Sequence, residues 1–420
     1  MAIKSQNSFP ANLCLAPFVY LTLDPAKNIS PCPALGGGVW NFNGQTIHKI
    51  WNNQELNDFR TGMINNQRHA VCARCWEEES IGLSSQRTRL WDMNKDPNGT
   101  ETKLLETEMT PCSVIDKSFY SKGPMQLAIK VGNVCNLRCR SCNSADSVTL
   151  HVEAKHYQER YKLSNQWYLL ETETKSLTEE HVEEIVGMSQ NLHRLEFYGG
   201  EPLLDKQLPR LLEKLIDANL SQQISINIST NITQDLSEDL YQLLLKFKGV
   251  NISLSIDGWA DKFTYLRHPA DWSVVYRNIK KFMVYSARSR RHIQLLPVTT
   301  VTIMNVFDLP ELVENLNREF RLKPFFIIAR RPEHYSIKNI PVDLAQSIIN
   351  KLKAYNDYNF GPIINAMSQI PNPAHWSEFK QWTSVIDQYR NENFVQTFPD
   401  YSELIAQHDP NFLVEVAKYS

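Results

Sequence analysis

From about residue 125 to residue 329, short β-prone runs alternate with longer helical ones, and no other feature constrains the fold as much. The β-prone runs are MQLAIKV, LHRLEFY, QISINIST, VNISLSI, IQLLPVTTVTI and PFFIIA. Between them lie HVEEIVGMSQ, QLPRLLEKLIDA, SEDLYQLLLKF, VVYRNIKKFMVYSA and LPELVENLNREF, with apolar residues at helical spacing. Alternation of this kind means right-handed crossovers and a parallel sheet. Six such strands suffice for a curved, incomplete α/β barrel of the TIM type rather than a closed eight-stranded one. Beyond about residue 341 the chain reads as helices, and Trp376, Phe379 and Trp382 follow the spacing of a packing seam.

A length of 420 residues allows two or three domains, each with its own core. Residues 1–92 are rich in turn formers (Pro25, Pro31, Pro33 and three glycines at 36–38), residues 93–122 read as a polar linker, 123–335 as the barrel and 336–420 as a helical extension. Forty-four basic residues against forty-six acidic ones leave a net charge of −2, so no electrostatic footprint for extended nucleic acid is expected. The start, MAIKSQNSFPANLC, lacks the basic and apolar segments of a secretory signal, and no stretch approaches the roughly 20 apolar residues of a membrane span. The expectation is a soluble, cytoplasmic protein. In that setting NGT at 98–100 is no glycosylation site.

A reducing compartment turns cysteine clusters into metal or catalytic candidates. The eight cysteines fall into a set of four (Cys14, Cys32, Cys72, Cys75), a singleton (Cys112) and a set of three (Cys135, Cys139, Cys142). The set of three sits in VGNVCNLRCRSC directly after the first barrel strand, where loops of parallel α/β folds carry chemistry. Structural zinc normally needs four protein ligands, and no fourth cysteine or histidine lies close by in sequence. A [4Fe–4S] cluster on three thiolates keeps one iron open to another ligand. A zinc knuckle, or buried cysteines at accidental spacing, is the plainer alternative. In the set of four, the C-x2-C pair Cys72 and Cys75 suits zinc as well as iron.

Further motifs follow in order: YGGEP after the second strand, STN after the third, LSIDG at the end of the fourth, then Arg267. With the three-cysteine loop they give residues 125–332 a resemblance to the radical S-adenosylmethionine (radical SAM) superfamily. The resemblance implies that Cys135, Cys139 and Cys142 hold a [4Fe–4S] cluster and that Gly199, Gly200 and Glu201, ahead of Pro202, meet the SAM amino group. It places Ser229 and Asn231 in the SAM site, Ser255 at the ribose and Arg267 at the methionyl carboxylate. Asp257 belongs to the SIDG pattern without a defined role, and Asn305 matches a weak adenosine position. Ser141 departs from the family, which often has an aromatic residue before the third cysteine; this loosens the adenine pocket but not the iron ligation.

The four-cysteine segment resembles the twitch or SPASM-type auxiliary-cluster modules, placed here ahead of the barrel as in the N-terminal-twitch radical SAM proteins. It implies a second, fully ligated [4Fe–4S] cluster, suited to relaying electrons. The implied activity is reductive cleavage of SAM, with an electron from a flavodoxin- or ferredoxin-like donor, followed by hydrogen abstraction from a substrate C–H. A peptide or protein side chain is the expected substrate class, a carbohydrate or small metabolite the alternative. A non-enzymatic, metal-stapled binding protein is the reading from another class. Cys112 reads as a linker thiol rather than a hydrogen donor. His334, Tyr335, Arg330 and Arg331 lie just past the sixth strand and read first as surface or packing residues. Neither a catalytic base nor an oligomeric state can be read from the chain.

Overall fold

The computed structural model describes residues 12–26, 28–35, 40–41, 45–80, 82, 85–92, 115–170 and 173–416. Cys112, the glycines at 36–38 and NGT at 98–100 lie outside the described residues. The chain divides into two compact units. The first comprises Met1–Gly132, Lys175–Ile228 and Leu236–Asn251; the second comprises Asn133–Thr174, Ser229–Asp235 and Ile252–Ser420.

In the first unit the strands are β1 (Tyr20–Leu23), β2 (Asn28–Ser30), β3 (Trp40–Asn41), β4 (Gln126–Lys130), β5 (Arg194–Tyr198) and β6 (Ser225–Thr230, whose last two residues belong to the second unit). β4, β5 and β6 are parallel, in register through Gln126↔Arg194 and Arg194↔Ser225. β1 joins them in parallel through Tyr20↔Gln126, while β2 and β3 fold back antiparallel. β1 is not evident in the sequence: YLTL is four residues long, buried throughout and embedded in a proline-rich stretch. Helix Gln207–Asp217 covers the sheet because Leu208, Leu211, Leu212 and Leu215 recur on one face and are all buried. Helix Glu179–Met188 starts at Thr178, whose side chain accepts from the His181 N–H in a capping box.

The N-terminal segment is pinned by Arg60, which is fully buried. Its guanidinium donates to the carbonyls of Pro17 and Trp51, both at 2.8 Å, and lies over the rings of Trp51 (4.3 Å) and Tyr120 (4.6 Å).

Strand β7 (Gly249–Ser255) gives its first three residues to the first unit and the rest to the second. In the second unit β8 (Ile293–Val301) and β9 (Phe325–Ile328) are parallel, Val298 facing Phe325 in register, with helix Leu309–Phe320 as their crossover. Helices Val342–Ala354, Pro373–Arg390, Pro399–His408 and Phe412–Val416 build the predicted helical tail. Ile348, Phe379, Phe394, Tyr401 and Phe412 form the heart of its core. Trp382 packs elsewhere, with Tyr157 and Tyr168 of the same unit. Each of the six expected barrel strands is present, so the α/β order read from the sequence holds. No helix among the described residues is long and apolar enough to cross a membrane.

Gly132 ends β4's continuation with φ +139°, and a Cβ there would sit 2.1 Å from the Lys175 carbonyl oxygen. Backbone has no rotamer by which to yield. Gly132→Ala is therefore expected to destabilise the protein by at least about 1–3 kcal/mol, the usual scale of such a strained φ, measured by urea unfolding.

Candidate metal and cofactor site

The three-cysteine loop has no regular secondary structure, so its shape comes from what ties it down. Leu137 is buried, and its carbonyl accepts from the Ser147 hydroxyl at 2.6 Å. The N–H groups of Arg138 and Arg140 donate to the carbonyls of His268 (2.6 Å) and Leu266 (3.0 Å), so the loop runs alongside the segment that carries Arg267. None of the seven described cysteines is in a disulfide. Burial pushes the Cys142 thiol up, with Asp146, Cys139 and Cys135 adding to the effect. Burial also raises Cys139, against the pull of the Arg267 charge. Cys142 therefore lies near enough to both other thiols of the set to feel their charge.

Two of the predicted SAM-site residues reach these sulfurs. Asn231 Nδ2 stands 3.7 Å from Cys135 Sγ and donates to Asn136 Oδ1 at 3.0 Å. Arg267 Nη1 lies 3.9 Å from Cys139 Sγ, and its Nε is ion-paired with Asp257 Oδ2 at 2.8 Å. Asp257 thus acquires a role the motif did not define: it aims Arg267. Its other oxygen accepts from the Thr300 N–H at 2.7 Å. Asn305 Nδ2 donates to the carbonyls of Asp257 (2.8 Å) and Thr300 (2.9 Å), and its Oδ1 accepts from the Thr302 N–H at 2.8 Å. Asn305 therefore laces two strand ends together. Ser229 and Ser255 are half-buried near the ends of β6 and β7. Ser141 and Tyr335 both line a recess of about 230 Å³, together with Asp257 and Asn305.

In the first unit, the turn at 199–201 is shaped by close approach. Gly199 has φ +111°, and a Cβ there would lie 2.8 Å from the Gly132 carbonyl oxygen. The Gly200 N–H donates to that same carbonyl at 2.8 Å. Glu201 is buried and accepts from the Leu203 N–H at 3.1 Å, capping the turn Pro202–Leu204.

The first unit also gathers the four-cysteine set. Cys14 precedes helix Ala16–Val19, Cys32 follows β2, Cys72 closes the turn Ala70–Cys72 and Cys75 lies in helix Ala73–Ser80. All four line one recess of about 410 Å³, with Phe59, Met63 and Trp76 as apolar wall and Arg74 and Arg87 at its margin. Burial, reinforced by the neighbouring thiols, pushes Cys32 up to about 12 and Cys72 up to about 11. Among the described residues no three His, Cys, Asp or Glu side chains close on a single metal ion. What the four sulfurs share is the recess, and a cubane takes one sulfur per iron at its corners. Four thiols around an apolar recess, and three thiols beside an arginine and an asparagine, are donor sets that fit iron–sulfur clusters.

An α/β protein with two separate thiol centres is thereby defined. Residues 129–304 match the radical SAM superfamily, and residues 14–76 match SPASM, an iron–sulfur cluster-binding domain. The chain thus carries a SPASM iron–sulfur domain over residues 14–76 ahead of a radical SAM domain over residues 129–304. These domains take S-adenosylmethionine with a [4Fe–4S] cluster, and an auxiliary iron–sulfur cluster, respectively.

Among solved structures the chain is similar to anSMEcpe with bound AdoMet, at 21% identity over 63% of this chain and 66% of that one, with TM-score 0.39. It is also similar to SuiB of Streptococcus suis, at 14% identity over 74% and 60%, with TM-score 0.36. SuiB bound to its precursor peptide SuiA gives 15% identity over 70% and 61%, with TM-score 0.34. The chain thus spans slightly under two thirds of the length of these proteins. A comparison with curated protein sequences gives no match.

His334 is fully buried, stacked on Trp382 with ring centroids 5.5 Å apart, and burial drives its pKa down to about 3. It is a packing residue. Because the folded state resists protonation that the unfolded chain accepts near pH 6.5, its contribution is complete above that value and is lost as pH falls toward 3. His334→Gln should flatten this acid limb, which amounts to about 1.4 kcal/mol per pH unit at its steepest, as read by thermal unfolding across pH 3.5–7.

Proposed function

We propose that this protein is a radical SAM enzyme that cleaves S-adenosylmethionine reductively and abstracts a hydrogen atom from a C–H of a peptide or protein side chain. The observation that carries the reading is the loop of Cys135, Cys139 and Cys142, with Arg267 and Asn231 within 4 Å of its sulfurs. Cys135, Cys139 and Cys142 hold the SAM-binding cluster; Cys14, Cys32, Cys72 and Cys75 hold the auxiliary one. When bound, the first cluster supplies the electron for SAM cleavage at an iron that no cysteine occupies.

The chain's own residues do the rest. Arg267, aimed by Asp257, binds the methionyl carboxylate by a charge-assisted contact. Gly199, Gly200 and Glu201 present backbone to the amino group, and Ser229, Asn231 and Ser255 supply polar contacts to the remainder of SAM. A flavodoxin- or ferredoxin-like protein is the proposed electron donor. The SPASM match supports the auxiliary cluster; the peptide class follows from the resemblance alone, whose relatives with auxiliary clusters oxidise or crosslink peptides or, less commonly, dehydrogenate sugar-like alcohols.

Anaerobic reconstitution with SAM and dithionite should release 5′-deoxyadenosine, and its absence from fully loaded protein would sink the proposal. The loaded chain should contain about eight irons, and replacing Cys135, Cys139 and Cys142 with alanine should leave about four, by the stoichiometry of two [4Fe–4S] clusters. One zinc and four irons in the parent would contradict the auxiliary cluster alone.

Arg267→Ala should weaken SAM binding roughly ten- to hundredfold, the value of a charge-assisted contact of about 1.5–3 kcal/mol, with iron loading unchanged. The readout is the SAM-induced change in the EPR spectrum of the reduced cluster. Parent-like titration of this variant would remove Arg267 from the site.

A further inference from the structure

The loop that carries Cys135, Cys139 and Cys142 interleaves two arginines with its last two cysteines: Arg138 precedes Cys139, and Arg140 lies between Cys139 and Cys142. Both arginines are ion-paired, Arg138 half-buried and Arg140 buried. Arg140 is almost completely buried, and its Nη2 is ion-paired with Asp387 and, at 2.5 Å, with Glu392. Both carboxylates belong to the C-terminal extension, Asp387 in helix Pro373–Arg390 and Glu392 just past its end. Arg138 pairs with Glu153 at 3.2 Å, and Glu153 is also held at 2.7 Å by Arg390. Arg390 in turn donates to the carbonyl of Arg138 at 2.7 Å. Glu392 uses its second oxygen on His268 at 2.7 Å, next to Arg267.

Every carboxylate in this network therefore bridges two chain segments, and the formal charges of three arginines and three acids cancel. A purely adhesive contact would need neither property. An apolar seam of the same size would hold the tail at least as well, because desolvating ion pairs is costly. What the ionic arrangement adds is direction: it fixes where two arginines within one residue of thiolate ligands point. It also pairs both charges with carboxylates, while Arg267 is a cation directed at the Cys139 sulfur.

From this we infer that the C-terminal extension is a positioning device for the cysteine loop, with Asp387 and Glu392 holding Arg140 so that its charge is turned away from the cluster. The inference rests on the radical SAM reading above. Asp387 and Glu392 are positioning residues, acting through Arg140, and touch neither SAM nor substrate. Loss of their charge leaves a cation beside two cluster ligands without its counter-charge, which favours the reduced, more negative cluster.

The test uses full-length protein reconstituted with iron and sulfide, comparing the parent with D387N, E392Q and the double variant R140Q/D387N. The reduction potential and EPR spectrum of the SAM-binding cluster are recorded in a background in which all four auxiliary cysteines, Cys14, Cys32, Cys72 and Cys75, are replaced by alanine, so that one cluster is observed. The expected result is an upward shift of potential in D387N and E392Q that R140Q/D387N returns toward the parent. Lys380→Gln serves as the stability control, since Lys380 is ion-paired with Asp409 and Glu415 inside the same tail and meets no member of the network. If Lys380→Gln, at a matched loss of thermal stability, shifts the potential as much as D387N does, the inference is overturned. An unchanged potential and EPR spectrum in D387N and E392Q overturns it equally. In either case the reading of the protein as a radical SAM enzyme survives, provided the parent loads its iron and responds to SAM. Should a charge-neutral variant fail to fold, the potential of Glu392→Asp, which keeps the charge on a shorter arm, decides the matter: a parent-like potential with restored folding supports the inference, and an upward shift in a folded Glu392→Asp that retains the charge overturns it.

Discussion

Buried charge compensation around Arg140 is the constraint on which the second unit depends. A guanidinium taken out of water costs several kcal/mol unless its partners are well placed, and removing one partner of a buried pair costs about 3–5 kcal/mol. Arg140 meets that demand with Asp387, Glu392 and the face of Tyr265, whose ring centroid is 3.7 Å from the guanidinium carbon. Tyr265 in turn donates to Asp387 at 2.7 Å, and Asp387 accepts from the Phe394 N–H at the same distance. One ionic centre thereby links the cysteine loop, the Arg267 segment and the turn that follows the long tail helix. The loop needs such support because it has no helical or strand ladder of its own.

The two thiol centres illustrate two solutions to holding reactive sulfur. The four-cysteine recess is largely apolar, and burial, reinforced by neighbouring thiols, favours the protonated form of Cys14, Cys32 and Cys72 until a metal displaces the protons. The three-cysteine loop is surrounded by polar groups already committed to one another: Asp257 to Arg267, Asn231 to Asn136, Asn305 to two carbonyls. A saturated thiolate set suits a centre that passes electrons, and an unsaturated set lined with fixed dipoles suits one that binds a charged ligand. Preorganised polar groups need not reorganise when that ligand arrives.

The amino-acid sequence by itself determined the six barrel strands, their helices and the division of seven cysteines into four and three. Alternating short β-prone runs and amphipathic helices are local patterns, and local patterns survive without tertiary information. The glycine turn at 199–201 was also legible, because only a residue without Cβ tolerates φ +111° against a neighbouring backbone. The tertiary structure alone decided that YLTL joins the sheet as β1, since a four-residue strand has too little pattern to stand out. It alone turned Asp257 into the partner of Arg267 and brought Asp387 and Glu392 to Arg140, across 247 and 252 residues of chain. Ion pairs at such separations leave no periodicity in a sequence; each partner looks like an ordinary surface charge until folding buries it beside its counterpart.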